Sequence, residues 1–311
     1  MNLRPPADYI EITTNIGCPN NCTYCPQGRL IQAYKKISDV NRMSYELFTK
    51  CIDKVPAKTN ILFSGLSEAW FNPDCTRMLV YAQNKHKILV YTTMSGMSIE
   101  DIRILETLPL EEFHLHLPTD ENTENIAIDD DYLQKLTYLN ESRIKVTYSF
   151  FGLNLKKCLE PFLKGKKVLK RDFHSRAGNI YLSKIFENRR KKGKIDCELL
   201  YGKGPVLLPN GDVVLCCMDY GLEYILGNLT RNSWVELFSS QAFLKACRSR
   251  TDSSIDSICR RCIQSQDVGL QSRINNTLVP LLMLYMKNPK SLFKAMGKIV
   301  RRLVNSDKSC K

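Results

Sequence analysis

The sequence has no apolar run of the roughly 18 or more residues that a transmembrane helix needs. Its start, from Met1 to Pro6, lacks the apolar core of a secretory signal, so we expect a cytoplasmic protein. Low-complexity and collagen-like classes are also excluded, because 43% of the 311 residues are hydrophobic and 9% are aromatic. Such a chain buries a genuine core, in one large domain or two modest ones.

Positive charge and cysteine are both in excess. The formal net charge is +13, and the stretch from Lys156 to Lys194 alone contributes +11, from fourteen basic and three acidic residues. A basic run is commonly a solvated face, but this one also suits an anionic substrate. Thirteen cysteines are too many for a reducing compartment unless most of them bind something, because disulfides rarely persist there.

The last part of the chain, residues 269–311, is predicted to be a basic helical tail. After Asn288-Pro289, apolar residues recur at helical spacing while lysines and arginines fall on another face. This pattern predicts an amphipathic helix that either packs onto the protein's own body or contacts a membrane surface peripherally. The apolar residues are Leu292, Met296, Ile299 and Leu303.

Residues 1–190 alternate candidate strands with stretches long enough for helices, such as Tyr45 to Lys54 and Asp131 to Leu139. This alternation predicts an α/β fold with a parallel sheet, here a partial (β/α)6 TIM-like barrel. A smaller cysteine-rich domain is expected over residues 191–268. The predicted strands are Tyr9 to Asn15, Asn60 to Ser64, Lys87 to Thr93, Glu112 to Leu117, Ile144 to Phe150 and Lys167 to Phe173.

Strand alternation orients the polar side chains of the barrel. In the fourth strand the apolar residues share the helix side, so His114 and His116 are predicted to face the lumen. The fifth strand turns Lys145, Thr147 and Ser149 inward, and Arg176 follows the sixth strand. Ligands of such folds bind at the carboxyl ends of the strands, so His114, His116 and Arg176 are candidate catalytic residues. Buried polar residues with satisfied hydrogen bonds are the alternative.

Three cysteines, Cys18, Cys22 and Cys25, lie in one loop directly after the first strand. Three thiolates in one loop hold three irons of a cuboidal cluster and leave the fourth iron without a protein ligand, which makes it a reaction site. Zinc is the competing interpretation, but a structural zinc site usually has four ligands, and no fourth is nearby in the sequence.

This triad, with the aromatic Tyr24 immediately before its third cysteine, resembles the signature of the radical S-adenosylmethionine (radical SAM) superfamily. The segment from Phe63 to Ala69 is similar to the family's glycine-rich methionine-binding motif, although alanine replaces the usual proline at its end. Thr92 to Gly96 ends the third strand where the family contacts the ribose. The resemblance implies five cofactor-binding residues, Tyr24, Gly65, Glu68, Thr93 and Ser95.

The resemblance also implies a [4Fe–4S] cluster, S-adenosyl-L-methionine (AdoMet) and an electron donor such as flavodoxin or ferredoxin. In that family the open iron chelates AdoMet, one electron breaks a C–S bond, and a 5'-deoxyadenosyl radical removes hydrogen from an unactivated carbon. The protein positions the target hydrogen and excludes water and oxygen. Gly65 and Gly96 have a physical role in this interpretation, because glycine lets backbone groups approach a ligand closely.

Four more cysteines are expected to hold an auxiliary cluster. Cys216 follows a tight turn and a short strand, and Cys259 and Cys262 form a close pair. With the order of Asp219 and Gly227-Asn228, this pattern resembles the SPASM/twitch extension of radical SAM enzymes, and the cysteine number fits the single-cluster twitch form. A four-thiolate zinc site is the alternative. The predicted auxiliary ligands are Cys197, Cys216, Cys259 and Cys262.

Six cysteines are left over, and most are expected to be small buried apolar residues. Cys217 is predicted to turn to the opposite face from its neighbour Cys216. Either Cys217 or Cys247 is a candidate to return a hydrogen atom to a substrate radical, as an epimerase needs.

The resemblance specifies the chemistry and not the substrate. Inward polar residues favour oxidation or epimerisation of a sugar or aminocyclitol, free or carried on a nucleotide or lipid phosphate. In the oxidation, an inward histidine or Arg176 would help to remove the hydroxyl proton. One alternative is radical maturation of a ribosomally made peptide. Another, from a different class, is a zinc-containing nucleic-acid-binding protein, suggested by the basic stretch, although nucleic acid is the less expected partner.

Overall fold

The computed structural model describes residues 8–121, 123–180, 190–197 and 204–268. The predicted basic tail, residues 269–311, therefore lies outside the described residues. No helix within the described ranges has the length and the apolar character that crossing a bilayer requires.

Short strands alternate with short helices through the first part of the chain. The strands are β1 (Tyr9–Ile12), β2 (Asn60–Phe63), β3 (Ile88–Thr92), β4 (Leu110–His116), β5 (Val146–Phe151), β6 (Val168–Arg171), β7 (Ile195–Asp196), β8 (Val206–Leu207), β9 (Asp212–Val214), β10 (Ile225–Asn228) and β11 (Gln266–Asp267). The α-helices are α1 (Gln27–Tyr34), α2 (Tyr45–Ile52), α3 (Cys75–Ala82), α4 (Ile99–Glu106), α5 (Asp130–Glu141), α6 (Trp234–Leu237), α7 (Gln241–Arg248) and α8 (Ile258–Arg261). The 3-10 segments are Ala69–Phe71 and Lys157–Leu163.

The six predicted strands are confirmed as neighbours in one parallel sheet, in the order β1 to β6. β1 ends at Ile12, before the predicted Asn15, because the chain beyond it pairs elsewhere. Thr14 accepts a backbone hydrogen bond from Met43 (2.8 Å), and Asn15 forms an isolated bridge with Arg42. The helices α2 and α5 lie where helices were predicted.

The sheet continues past β1 into the cysteine-rich part of the chain, which the sequence did not predict. β8 pairs with β1 in parallel, with Glu11 opposite Val206 and Ile12 opposite Leu207. β9 and β10 then add antiparallel strands, so the sheet has nine strands in the order β10-β9-β8-β1-β2-β3-β4-β5-β6. Residues of the cysteine-rich part consequently lie beside β1.

The helix-facing side of the barrel sheet is apolar. Phe113, Leu115 and Leu117 are buried in the main hydrophobic core, as the alternation predicted. His114 points the other way, and its Nε2 lies 2.6 Å from the Ser149 Oγ of the neighbouring strand. The predicted inward orientation of His114 and Ser149 is therefore confirmed.

Serine side chains define where several helices begin. Ser44 accepts a hydrogen bond from Leu47 N at the start of α2, and Ser98 forms a reciprocal capping box with Asp101 at the start of α4. Such caps satisfy backbone N–H groups that the helix leaves unpaired, and each stabilises its helix by about 1 kcal/mol.

Candidate active site and metal centres

The loop after β1 gathers three thiols at the carboxyl end of the strand. Two backbone hydrogen bonds fold it tightly, since Asn21 N donates to Cys18 O (3.2 Å) and Cys25 N donates to Cys22 O (2.9 Å). Asn21 has a left-handed backbone (φ 38°), a conformation that asparagine tolerates better than most residues. The predicted triad is thus held in one compact turn.

The three thiols are close enough to act on one another. Burial, together with the neighbouring Cys25 and Cys18 sulfurs, raises the pKa of Cys22 to about 12. Burial also raises the pKa of Cys18. Each sulfur makes it harder for its neighbours to lose a proton. Iron takes the place of these protons when the thiols bind it, so the sulfurs no longer oppose one another's ionisation. The donor set therefore fits a cluster with three protein ligands, and none of the described cysteines is consumed by a disulfide.

Tyr24 and His116, which the sequence assigns to different roles, meet in one buried network. The Tyr24 hydroxyl donates to Glu124 Oε1 (2.9 Å) and lies 2.8 Å from His116 Nε2. Burial alone would raise the pKa of Glu124, but hydrogen bonds from His116, Thr123 and Tyr24 lower it below its usual value. Glu124 also accepts hydrogen bonds from Thr119 N (3.2 Å) and Thr119 Oγ1 (3.1 Å). The network fixes the cysteine loop against the end of β4.

Three of the predicted cofactor-binding residues form a second network with the loop. Glu68 accepts hydrogen bonds from Thr92 Oγ1, Thr93 N and Thr93 Oγ1, each at 2.6 Å. Asn20 Nδ2 of the cysteine loop donates to Thr93 Oγ1 (2.9 Å), which also lies 2.9 Å from Ser95 Oγ. Glu68, Thr93 and Ser95 therefore join the end of β3 to the loop.

Close packing requires glycine at positions 65 and 96, a reason that the sequence analysis missed. Gly65 has φ +69°, and a Cβ there would lie 2.8 Å from Ile12 O. A Cβ on Gly96 would lie 2.6 Å from the carbonyl carbon of Trp70. Real Cβ atoms do not approach backbone so closely, so both glycines are required where neighbouring chain segments touch.

Glu11, which the sequence analysis did not select, faces the lumen from β1. It is 5% exposed, and its carboxyl lies close enough to the Cys217 thiol and to the charge of Arg176 for both to act on its pKa. Burial raises the pKa of Glu11 to about 7, although Cys217 and Arg176 act in the opposite direction. A carboxyl group with this pKa is suited to accept a proton near neutral pH.

Cys217 turns away from Cys216, as predicted, although it lies in a turn after β9 and not in a strand. Cys216 lines the pocket of the second cysteine set, whereas Cys217 is absent from that lining and lies close enough to Glu11 for the two groups to shift each other's pKa. The other candidate hydrogen donor, Cys247, lies on α7 and interacts with Cys259. Of the two thiols, the structure brings Cys217 to the polar lumen.

Arg176 lies between the two cysteine sets. Arg176 and Ala177 both have left-handed backbones (φ 47° and 54°), a strained pair for residues with a Cβ. The Arg176 guanidinium lies 6.0 Å from the centroid of the Tyr220 ring, and Ala177 lines the second cysteine pocket. Burial opposes the charge of Arg176, but neighbours that include Tyr220 and Cys217 raise its pKa. The guanidinium therefore stays charged.

His114, in contrast, is uncharged at neutral pH. Burial, followed by the charges of Arg171 and His116, lowers the pKa of His114 to about 4. Its ring lies 5.0 Å from that of Tyr91, whose hydroxyl donates to Glu112 Oε2 (3.1 Å). The imidazole thus offers a neutral hydrogen-bonding group to the lumen.

The second cysteine set lines one pocket. The thiols surround this space. In neither cysteine set, nor elsewhere within the described ranges, are three or more His, Cys, Asp or Glu arranged to hold a single metal ion. A pocket with four thiols around it fits a cluster with four protein ligands. The lining residues are the four predicted ligands Cys197, Cys216, Cys259 and Cys262, with Ala177, Leu215, Met218, Ile258, Gln264 and Ser265.

Two cations, the fully buried Arg260 and the half-buried Lys191, hold the second set together. Arg260, within the Cys259–Cys262 turn, has no exposed surface and donates to Lys191 O (2.8 Å) and Gly193 O (3.0 Å). Lys191 Nζ donates to the carbonyl of Cys262 and to Ser265 O (2.6 Å). β7 also pairs with β11, so the segment before Cys197 is fixed to the segment after Cys262. This explains how cysteines far apart in sequence reach one pocket.

A further pocket lies beside the cysteine loop, and predicted cofactor-binding residue Ser95 lines it. Asn20 of the loop and the buried Tyr132 of α5 lie in the same wall. The Tyr132 hydroxyl has no hydrogen-bond partner within the described residues. A polar ligand is the kind of group that would satisfy it.

Sequence reasoning missed several residues that contact the predicted sites. Gln27 Nε2 lies 3.2 Å and the Tyr220 hydroxyl 3.4 Å from Cys25 Sγ, and Glu11 lies beside Cys217. Glu11 alone had a signal in the sequence, because alternation with the apolar Ile10 and Ile12 turns it inward on β1.

Residues 199–263 match the family model SPASM, described as an iron-sulfur cluster-binding domain. A search of curated protein sequences finds no match. The family match favours iron and sulfur over zinc at the second cysteine set.

Three solved structures share the fold. BtrN, in complex with AdoMet and 2-DOIA, has a TM-score of 0.54 and 14% identity over 85% of this chain and 95% of that chain. Streptococcus suis SuiB, bound to precursor peptide SuiA, has a TM-score of 0.60 and 14% identity over 83% and 70%. anSMEcpe with bound AdoMet has a TM-score of 0.53 and 11% identity over 82% and 86%.

BtrN, SuiB and anSMEcpe are radical SAM enzymes with SPASM or twitch domains. At these identities the likeness establishes a common architecture. The predicted fold class is therefore confirmed. The chain shares the fold of these radical SAM enzymes, and its residues 199–263 match the SPASM iron-sulfur cluster-binding domain.

Proposed function

We propose that this chain is a radical SAM enzyme with two [4Fe–4S] clusters. Cys18, Cys22 and Cys25 would hold the first cluster, which supplies one-electron cleavage of AdoMet and so a carbon-centred radical when both are bound. The observation that carries the proposal is the compact three-thiol loop at the carboxyl end of β1, in a fold shared with BtrN and anSMEcpe, which were crystallised with AdoMet. An electron donor such as flavodoxin or ferredoxin would supply the electron.

The chain's own residues support this role by holding the loop in place. Tyr24, through Glu124 and His116, ties the loop to β4, and Asn20, through Thr93, ties it to β3. The two anchors lie at the ends of the neighbouring strands β3 and β4, so they hold the loop against the carboxyl end of the sheet. Tyr24, Glu68, Thr93 and Ser95 belong to these anchors and are the proposed cofactor-binding residues, together with Gly65, which follows β2 and packs against the end of β1.

The substrate is proposed to be a polar small molecule, a sugar or aminocyclitol. The lumen presents a buried carboxyl (Glu11), a charged guanidinium (Arg176) and a neutral imidazole (His114), which together suit hydroxyl and amino groups. The likeness to BtrN, crystallised with AdoMet and 2-DOIA, extends over 95% of the BtrN chain and adds support.

Glu11 is a better proton acceptor than either group suggested by the sequence. Arg176 keeps its proton, so it is suited to stabilise an alkoxide and not to remove a hydroxyl proton. His114 is neutral with a pKa of about 4, which makes it a weak base. Glu11, with a pKa raised by burial to about 7, matches the requirement for a general base at neutral pH.

The Cys217 thiol offers a way to distinguish oxidation from epimerisation. An epimerase needs a hydrogen-atom donor, and the Cys217 thiol beside Glu11 is the candidate. A thiol hydrogen exchanges with solvent, so epimerisation in deuterium oxide should label the product carbon. Oxidation should give a product without that label and should use the second cluster as electron acceptor.

The proposal is tested by anaerobic reconstitution with iron and sulfide, followed by reduction in the presence of AdoMet. The wild-type protein should release 5'-deoxyadenosine, whereas Cys22→Ala should release none. Cys158→Ser is the matched control, because Cys158 is an exposed thiol outside both cysteine sets. Undiminished release by Cys22→Ala would refute the assignment of the first site.

A second candidate is radical maturation of a ribosomally made peptide. It is favoured by the TM-score of 0.60 to SuiB bound to precursor peptide SuiA. The two substrate classes are distinguished by incubating the reduced enzyme separately with deuterium-labelled aminocyclitols and with labelled candidate precursor peptides. The measurement is the transfer of deuterium from the substrate into 5'-deoxyadenosine. Transfer from only the peptide would replace the sugar proposal.

A further inference from the structure

The strongest unexplained contact joins the SPASM part of the chain to the first cysteine loop. The hydroxyl of Tyr220 lies 3.4 Å from Cys25 Sγ, within hydrogen-bonding distance for sulfur. Tyr220 lies within the SPASM match, whereas Cys25 belongs to the loop after β1. Gln27 Nε2 approaches the same sulfur at 3.2 Å. A residue of one domain therefore reaches a thiol of the other.

Packing holds the Tyr220 ring in this position. Its side chain is 3% exposed and belongs to a small hydrophobic cluster that includes Leu30, Tyr34 and Leu66. The Arg176 guanidinium lies 6.0 Å from the ring centroid, a distance at which a cation is attracted to an aromatic face. The hydroxyl therefore has little freedom to leave the sulfur.

The direction of the hydrogen bond follows from ligation. A cysteine that ligates iron has lost its proton, so Cys25 can only accept, and the Tyr220 O–H must donate. A donor directed at a cluster sulfur stabilises the more negative, reduced cluster more than the oxidised one. Its presence therefore raises the reduction potential.

We propose that Tyr220 is a tuning residue through which the SPASM domain raises the reduction potential of the first cluster. This inference rests on the proposed function, since it requires Cys25 to be a cluster ligand. It implies that the SPASM domain does more than hold its own cluster. It also makes electron uptake at the first site depend on correct docking of the second domain.

The test is a redox titration of the reconstituted protein followed by electron paramagnetic resonance. Tyr220→Phe removes the donor and keeps the ring. It should make reduction of one cluster about tenfold less favourable, a shift of about 59 mV to lower potential for a one-electron couple. The other cluster should keep its potential. Repeating the titration in a Cys259→Ala/Cys262→Ala chain identifies the shifted step as that of the first cluster.

Tyr34→Phe is the matched control. Tyr34 is a fully buried tyrosine of the same hydrophobic cluster, but its hydroxyl donates to Val40 O (2.8 Å) and not to a thiol. It should leave both potentials unchanged. If both variants shift the potential equally, the effect comes from packing and the proposal is overturned.

A second measurement keeps the proposal testable if Tyr220→Phe fails to fold. Placing 3-fluorotyrosine at position 220 preserves the ring and makes the hydroxyl a stronger donor, so the first cluster should shift to higher potential. A loaded protein with an unchanged potential would overturn the tuning role alone. Absence of the first cluster from the wild-type protein would overturn the proposed function and the tuning role with it.

Discussion

The Tyr24 hydroxyl lies 2.8 Å from His116 Nε2 and donates to the buried carboxylate of Glu124. Tyr24 belongs to the cysteine loop, whereas His116 ends β4, so the contact spans the mouth of the barrel. A residue predicted to bind the cofactor and one predicted to act on the substrate therefore share one hydrogen-bond network. The His116 side chain thus helps to hold the cysteine loop in place, and its predicted catalytic role stays a prediction.

Removing the Tyr24 hydroxyl should destabilise the protein. Tyr24→Phe leaves the ring in place but deprives buried Glu124 of a donor, which should cost about 1–3 kcal/mol. The measurement is the thermal or urea unfolding midpoint. Tyr81→Phe is the control, because its hydroxyl also donates to a carboxylate, Asp53, but at the exposed surface. Equal losses in both variants would contradict the importance of the buried network.

Two glycine replacements should have opposite effects. Gly65→Ala introduces a Cβ at φ +69° and 2.8 Å from Ile12 O, and should destabilise the protein by at least about 2 kcal/mol. Gly28→Ala, within α1, meets nothing within 4 Å and should stabilise by up to about 1 kcal/mol. The comparison of unfolding midpoints checks both. A tolerated Gly65→Ala would show that the segment after β2 does not approach the end of β1 as described.

The raised pKa of Glu11 predicts how stability and activity depend on pH. Burial raises the pKa of Glu11 to about 7, so the folded protein favours the neutral carboxyl. The resulting stabilisation is fully present at pH values below the pKa of the carboxyl in the unfolded chain, which is about 4.3. It is lost as the pH rises through 7. The loss amounts to about 4 kcal/mol.

Glu11→Gln, which stays neutral, isolates this effect. The stability of the variant minus that of wild type should increase from pH 5 to pH 8, because only the wild type loses stability over this range. The unfolding midpoint measures this difference. Turnover of the wild-type enzyme should rise through pH 7, and the variant should lose this rise. The control is Glu111→Gln, at an exposed carboxylate paired with Lys87. A stability difference between Glu11→Gln and wild type that is equal at both pH values would contradict the assignment.

The barrel was largely predictable because its signal is local. Apolar alternation in β4 oriented His114 correctly, and turn and strand signals located all six parallel strands. The continuation of the sheet through β8 was not predictable. β8 has only two residues, Val206 and Leu207, and its pairing with β1 depends on contacts distant in sequence. Short strands carry too little pattern to reveal their partners.

The candidate site was predictable only in part. Cysteine spacing revealed both thiol sets, because ligand positions are constrained by the cluster that they would bind. The groups around the thiols were not predictable, because Tyr220 reaches Cys25 from a domain distant in sequence and Arg260 acts on carbonyls near residue 192. Such contacts are set by tertiary packing, which leaves no fixed spacing in the sequence.

Removing one ligand of the second cysteine set should disable the second site and leave the first site working. Cys259→Ala should reduce iron from roughly eight to roughly four atoms per chain, while release of 5'-deoxyadenosine remains detectable and substrate turnover falls. Cys247→Ala is the matched control, since Cys247 lies near Cys259 on α7 but outside the pocket lining. Iron content that is equally low in both variants would contradict the ligand assignment.

The most direct measurement is the count of iron and acid-labile sulfide in the anaerobically reconstituted wild-type protein. Two separate thiol sets, each around its own cluster, predict roughly eight iron and eight sulfide per chain. Cys22→Ala should retain about half of each. Protein that takes up zinc without sulfide, or that holds only four irons with both cysteine sets intact, would contradict this account.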